Sequence, residues 1–172
     1  MVSAGNATAE RNPHRPYGLL VHPTSALVVR KVIAAIEGIG GALGALLFLR
    51  HAVIVTRAHP DVWLVAPLHL AAFGLCVVGA LLLWFDKRPG ATLTLLALAL
   101  QVPSVRTATL GYSFSVGLGF RVLAGAHGMS HLAFLGCELH VTLHEAAMRA
   151  VVGINVVALA LGVLLWTSGR TR

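Results

Sequence analysis

Metal-binding residue types are concentrated in one stretch near the end of the chain. They are His127, His131, Cys137, Glu138, His140, His144 and Glu145. Imidazole, thiolate and carboxylate groups bind zinc and copper. On a helix Cys137, His140 and His144 would share a face, whereas on a strand Glu138, His140 and His144 would do so. Polar and apolar residues alternate from Cys137 to His144, which favours the strand. His140, His144 and Glu138 are therefore the metal candidates.

A polar outer surface is nevertheless the preferred interpretation of this stretch. The sequence has no H-E-x-x-H or C-x-x-C spacing that would indicate a metal site. It also has no nucleophile elbow, phosphate loop or dinucleotide fingerprint, and we predict no catalytic residues. No cofactor is predicted, and zinc or copper is the alternative.

A second group of candidates consists of polar side chains within long apolar runs. They are Glu37, His69, Gln101 and Asn155. Polar groups inside a membrane usually have a functional or hydrogen-bonding reason to be there. Counted by depth, His69, Gln101 and Asn155 are expected to meet as one hydrogen-bonded cluster between helices. Glu37 is expected nearer the cytoplasmic side, beside Lys31 or Arg88, as a candidate proton or ligand site.

The apolar runs that carry these side chains dominate the composition. The chain is 57% hydrophobic and 11% charged, with a mean hydropathy of +0.82, whereas soluble domains carry about 25% charged residues. The runs predict membrane spans at about 32–49, 62–85, 91–105 and 150–167. They form one transmembrane domain over 31–169, between a partly disordered arm (1–30) and a tail (170–172).

The segment 111–145 has a different period. Apolar and small or polar residues alternate strictly from Tyr112 to Val122, and again from Cys137 to His144. Period two is typical of strands, and the glycine-rich segment between the two runs is typical of a turn. The predicted fold is therefore an all-α membrane protein: four transmembrane helices with an extracytoplasmic β-hairpin between helices 3 and 4.

Small residues in the first span predict close helix packing. Gly40 and Gly44 have the G-x-x-x-G spacing that lets membrane helices approach, and Glu37 falls on the face of Gly44 and Phe48. The two cysteines, Cys76 and Cys137, are expected at different depths, so no disulfide between them is predicted.

The net charge of +7 is assigned to topology rather than to nucleic-acid binding, because no basic face with interleaved aromatic residues is present. If there are four spans, eight Lys and Arg residues lie on the side of the termini and five on the other. The positive-inside rule then predicts a multi-pass protein of the inner membrane with both termini in the cytoplasm.

An isolated hairpin is marginally stable, so its apolar face must be covered by the helices or by a partner. The favoured function is a non-enzymatic assembly or interaction component of a membrane complex. Its expected partners are the lipid bilayer and a second copy or another membrane protein. One alternative is a small proton-linked transport or sensing unit that uses Glu37 and His69, and another is an extracytoplasmic metal-binding protein.

Overall fold

Four helices pack together in the part of the chain that the computed structural model describes, residues 23–55, 62–126, 128–143 and 150–169. They are α1 (Pro23–Val55), α2 (Val62–Trp84), α3 (Arg88–Gln101) and α4 (Val156–Gly169). α2 packs between α1 and α3, and α4 packs on α3 and α1. A tight turn joins α2 to α3, and in it Arg30 of α1 pairs with Asp86 at 3.0 Å.

Six strands of the described chain form a single antiparallel sheet. They are β1 (Pro103–Arg106), β2 (Leu110–Ser115), β3 (Leu118–Gly125), β4 (Gly128–Leu135), β5 (Glu138–Leu143) and β6 (Val151–Asn155). Their order across the sheet is β4-β3-β6-β1-β2-β5. β1 follows α3 almost directly and β6 leads straight into α4, so the paired strands β1 and β6 extend the α3–α4 helix pair.

β2 and β3 are two halves of one long strand, and β5 and β4 are the matching halves of its partner. Ser115 in β2 lies opposite Glu138 in β5, and Leu118 in β3 lies opposite Leu135 in β4. The same register therefore continues through the two-residue breaks between the halves. We call the four residues of these breaks the crease: Val116, Gly117, Gly136 and Cys137.

The crease folds the long hairpin sharply. Gly117 has a φ of 75°, a left-handed conformation that glycine adopts without steric cost, and the N–H of Gly136 donates to its carbonyl at 2.8 Å. β6 and β1 lie between β3 and β2, which would separate these two strands by about 14 Å in a flat sheet. Three residue steps reach at most about 11 Å, so the sheet must curl.

The curled sheet has a concave face of mostly small or polar residues and an apolar convex face. Arg121 on β3 contacts Glu138 on β5, at the far edge of the sheet, which requires both side chains to lie on the concave side. The small or polar residues that register places with them are Ser104, Gly111, Ser113, Ser115, Gly119, Gly153 and Asn155. The alternate residues, such as Phe114 and Phe120, point outward. The alternation in the sequence is thus confirmed as strand structure.

Helices cover the two halves of the convex face unequally. Phe114 in β2 and Leu139 in β5 belong to an apolar cluster with Phe73 and Cys76 of α2, and the Phe73 and Phe114 rings meet edge to face at 5.6 Å. Beyond the crease, Phe120 and Leu135 on the same convex face are exposed.

The predicted fold class was wrong. The described chain combines helices with a six-stranded sheet, and among the described helices only α1 and α2 contain segments long and apolar enough to cross a membrane, Ser25–Val53 and Ala66–Trp84. The third predicted span, 91–105, ends as a helix at Gln101, because Pro103 cannot continue the helical hydrogen bonding. The fourth, 150–167, begins with the strand Val151–Asn155.

The remaining predicted segments differ from the structure at their bounds. α1 starts at Pro23, within the predicted arm, and continues past the predicted end of the first span to Val55. The predicted hairpin, 111–145, corresponds to β2 through β5, whose last described residue is Leu143. His127, residues 144–149 and the tail 170–172 lie outside the described residues.

Candidate functional site

Three buried polar side chains, one from each of the first three helices, meet where the crease rests on the helices. Glu37 from α1, Cys76 from α2 and Gln101 from the end of α3 are 1%, 0% and 2% exposed. We call these three residues the buried polar cluster. It is the only place in the described chain where a carboxyl group is buried to this extent.

The amide of Gln101 joins two otherwise separate parts of the fold. Its Nε2 donates to Glu37 Oε2 at 2.8 Å, and its Oε1 accepts the backbone N–H of Val116 in the crease at 3.0 Å. The Cys76 thiol is also hydrogen-bonded to the Glu37 carboxyl. Buried polar groups are costly unless they have partners, and in this cluster each one has a partner.

Gly40 allows the crease to lie directly on α1. A Cβ at Gly40 would come within 2.4 Å of Val116 Cγ1 and 3.0 Å of the Gly117 backbone nitrogen, so no larger residue fits without movement. Cys137, on the opposite side of the crease, donates its thiol hydrogen to the Gly40 carbonyl, with 2.9 Å between Sγ and O. The crease is therefore fixed to the middle of α1.

The other predicted packing glycine has a different neighbour. Gly44 faces the Phe73 ring of α2, and Gly41 faces Cys76, so close approach of α1 to α2 depends on these two positions. Gly40 faces the sheet instead. The two cysteines, expected at different depths, both belong to the apolar cluster beneath the crease, and both are free thiols.

His69 and Asn155 do not join Gln101. The Nε2–H of His69 donates to the Leu139 carbonyl of β5 at 3.2 Å, and its ring stacks on Phe48 with centroids 4.3 Å apart. Asn155 Oδ1 accepts the N–H of Ala158 at 3.4 Å and caps the start of α4. The expected cluster of three is therefore replaced by three separate hydrogen-bonded sites.

Glu37 also differs from its expected surroundings, since its partners are Gln101 and Cys76. Lys31 instead lies near the end of α2, where its ammonium donates to the Trp84 carbonyl and sits 4.5 Å from the centroid of the Trp84 ring. A buried carboxyl in contact with a thiol and an amide could in principle exchange a proton. No described cation approaches it as a counter-ion within 4 Å.

The histidine-rich stretch is spread over the sheet. Glu138 is held by Arg121 Nη1 at 3.3 Å and by the Ser113 hydroxyl at 3.1 Å. His140 lies on the same concave face of β5, opposite Ser113, while His131 stacks on Phe120 on the convex face. Among the described residues, no three His, Cys, Asp or Glu side chains group closely enough to hold a metal ion. His144 lies outside those residues.

Comparison with protein-family models, with curated proteins and with solved structures finds no match for this chain. Function must therefore be argued from the geometry of the chain itself.

Arg121 is a residue whose importance sequence analysis missed. It is 4% exposed. In addition to its pairing with Glu138, it donates to Ser115 Oγ, and its guanidinium carbon lies 4.7 Å from the centroid of the Phe134 ring. A single Arg among glycines and serines at alternate positions was the available signal, because small inward residues leave room for one long side chain.

Tyr112 links the convex face of β2 to the helices. Its hydroxyl donates to the Leu100 carbonyl of α3 at 2.7 Å, and burial raises the pKa of this phenol above its ordinary value. Together with Gln101, it attaches the end of α3 to the folded hairpin, so this region of the molecule acts as a structural junction.

Proposed function

We propose that this chain is an integral membrane protein with a non-enzymatic role in the assembly of a membrane complex, and that it binds a neighbouring subunit through its edge strand β4. The observation that carries the proposal is the unequal covering of the apolar convex face. In the half formed by β2 and β5, Phe114 and Leu139 pack on helices. In the other half β3 contacts α4, but the convex residues Met129 and Leu135 of β4 are exposed.

The surfaces of α1 and α2 support insertion into a bilayer. Only 33% of the most apolar segment of each helix is buried inside the described fold, whereas the core helix of a soluble protein is mostly buried. Large side chains such as Ile39, Leu46 and Leu81 are exposed. Exposed apolar side chains on the described parts of both helices fit lipid contact.

The distribution of basic residues supports one orientation in the inner membrane. Arg30 and Lys31 of α1 lie beside the turn that contains Lys87 and Arg88, since Arg30 pairs with Asp86 there. α4 packs antiparallel to α3 and so ends toward the same side. By the positive-inside rule this side is cytoplasmic, with both termini there and the sheet toward the opposite side.

Strand β4 has the features of an interface. It is an edge strand, paired only with β3 in the described sheet, and its convex residues Met129 and Leu135 are 78% and 84% exposed. An open edge presents unpaired N–H and C=O groups to a partner strand. A hydrophobic exposed edge of eight residues is expected to be covered in the assembled protein.

A second copy of the chain fits this edge. If two β4 strands pair antiparallel around a two-fold axis at Leu132, Met129 of each copy lies opposite Leu135 of the other. The two large exposed hydrophobic residues of the convex side of the strand then cover each other, and the interface is self-complementary, as a two-fold dimer requires.

Photo-crosslinking in membranes tests this proposal. A photoreactive residue in place of Met129 or Leu135 is expected to give a crosslinked dimer. The matched control is Val152, an exposed convex residue on the interior strand β6, which should give none. The Met129→Lys/Leu135→Lys variant should have the native mass of a monomer in detergent. A monomeric wild-type protein, or equal crosslinking from Val152, would refute the interface.

The alternative functions gain no supporting observation. Proton-linked transport through Glu37 and His69 would need a path between them, and their hydrogen-bond partners are different: Gln101 and Cys76 for the former, Leu139 for the latter. Metal binding would need Glu138, which is occupied by Arg121. Both remain predictions from the sequence.

A further inference from the structure

The concave face of the sheet encloses a cavity that the assembly role does not use. Its volume is about 270 Å³. The residues that line it are Ser104, Arg106, Arg121, Leu123, Ser130, Leu132 and Val151. Sites for drug-sized ligands have volumes of about 300–1,000 Å³, so this cavity suits a small molecule or a single headgroup.

One of the two arginines in the cavity is already neutralised. Arg121 forms an ion pair with Glu138, donates to Ser115 and lies over the Phe134 ring. These contacts orient its guanidinium toward the crease. Its charge is therefore balanced within the fold, and it serves as a fixed wall of the cavity.

The second arginine has no ion-pair partner among the described residues. Arg106, at the end of β1, is half-buried, and its side chain makes no hydrogen bond or ion pair with any described residue. Its backbone pairs with β2 and β6, which fixes its position opposite Val151. A partly desolvated guanidinium with no anion beside it in the described part of the chain is a binding group for an oxyanion.

The remaining lining residues complement such a ligand. Ser104 and Ser130 supply hydroxyl groups that can donate to an oxyanion, whereas Leu123, Leu132 and Val151 form an apolar wall. The arrangement lies on the concave face of β1, β3, β4 and β6, away from the buried polar cluster.

We propose that this cavity binds a small phosphate- or carboxylate-bearing molecule, with Arg106 as the group that recognises the oxyanion. The same chemistry is offered by a free anion and by the headgroup of an anionic lipid. The site shares strand β4 with the proposed subunit interface, but it uses the concave side chains Ser130 and Leu132, whereas the interface uses the backbone edge and the convex side chains Met129 and Leu135.

Thermal unfolding of the full chain in detergent tests for a free anion. Added inorganic phosphate should raise the melting temperature relative to chloride at equal ionic strength, since a ligand that binds only the folded state stabilises it. Arg106→Gln should weaken the apparent affinity for phosphate by about tenfold or more, because hydrogen bonds to charged groups are strong. Arg50→Gln, which removes an exposed arginine of α1, should leave the affinity unchanged.

Nanodiscs test for a lipid source. If the ligand is a headgroup, the wild-type protein should be stabilised by phosphatidylglycerol relative to phosphatidylcholine, and Arg106→Gln should abolish the difference. A response in either experiment that depends on Arg106 supports the proposal. No response in both, or equal responses from Arg106→Gln and the wild type, would overturn it.

Two further variants distinguish a loss of binding from a loss of folding. Arg106→Lys keeps the charge and should retain part of the response. Leu132→Trp keeps both arginines but fills the cavity, and it should lose the response. If Leu132→Trp bound as well as the wild type, the cavity would not be the binding site.

Discussion

Replacing Gln101 with leucine should loosen the junction between the crease and the helices. Gln101 satisfies two buried groups, the Glu37 carboxyl at 2.8 Å and the Val116 N–H at 3.0 Å. Leucine occupies a similar volume but makes neither hydrogen bond. Each buried group left without a partner costs about 1–3 kcal/mol. Because Glu37 keeps its contact with Cys76, we take the lower end of this range, about 1 kcal/mol, for each of the two groups. The free energy of unfolding should therefore fall by about 2 kcal/mol.

The buried thiol of Cys76 reports this loss directly. It is 0% exposed, so it reacts with a thiol reagent only when the surrounding helices open. Cys137→Ser leaves it as the only thiol and keeps a donor for the Gly40 carbonyl. A loss of about 2 kcal/mol should then speed labelling about 30-fold, since each 1.4 kcal/mol changes an opening equilibrium tenfold.

Two comparisons make this result specific. Leu100→Met, at an exposed neighbouring position on α3, should change the labelling rate by no more than about twofold. Glu37→Leu/Gln101→Leu removes the orphaned carboxyl and should label more slowly than Gln101→Leu alone, because replacing both partners by apolar groups is far less costly. Equal labelling of Gln101→Leu and the wild type would refute the structural role of the amide.

Three further predictions concern the crease, α4 and β2. Gly40→Ala should destabilise the protein by about 1–3 kcal/mol through overpacking, whereas Gly74→Ala, where a Cβ meets nothing within 4 Å, should not; thermal unfolding distinguishes them. Asn155→Ala should cost about 1 kcal/mol by removing the cap of α4, measured by the same assay. Tyr112 should ionise above the usual tyrosine pKa of about 10, as followed by tyrosinate absorbance. The protonated Tyr112 phenol contributes fully to the free energy of unfolding below the usual tyrosine pKa of about 10. This contribution is lost as the pH rises through the higher pKa of the folded state, and Tyr112→Phe should remove the dependence.

The strands were predictable where the alternation was long. From Tyr112 to Val122 the period-two pattern identified both the strand and its two faces. The pattern could not reveal β1 and β6, which have four and five residues and lie within or beside apolar runs. Short apolar segments do not distinguish a strand from a helix by periodicity, and the local signals, Pro103 and Gly153, were too few to outweigh the length of the runs.

The predicted depths of the buried polar residues depended on the predicted start of each helix. Depth counting placed Glu37 near the cytoplasmic side because the first span was started at residue 32. α1 in fact begins at Pro23, so Glu37 lies near the middle of the helix and reaches the level of Cys76 and Gln101. Helix bounds are the least certain part of a sequence-based prediction, and an error of nine residues moves a side chain by about 13 Å.

The two edges of the sheet differ in a way that decides which of them is open to a partner. β5 lies at one edge, where its convex residue Leu139 packs against the apolar cluster that includes residues of α1 and α2, and the Leu139 carbonyl accepts a hydrogen bond from His69. At the other edge, the convex residues Met129 and Leu135 of β4 are exposed. Backbone groups at membrane depth must be paired or buried. If the sheet begins within the bilayer, as the contact of the crease with the middle of α1 suggests, β5 meets this requirement through the helices of its own chain. β4 can meet it only through another strand, which is why the interface is assigned to β4.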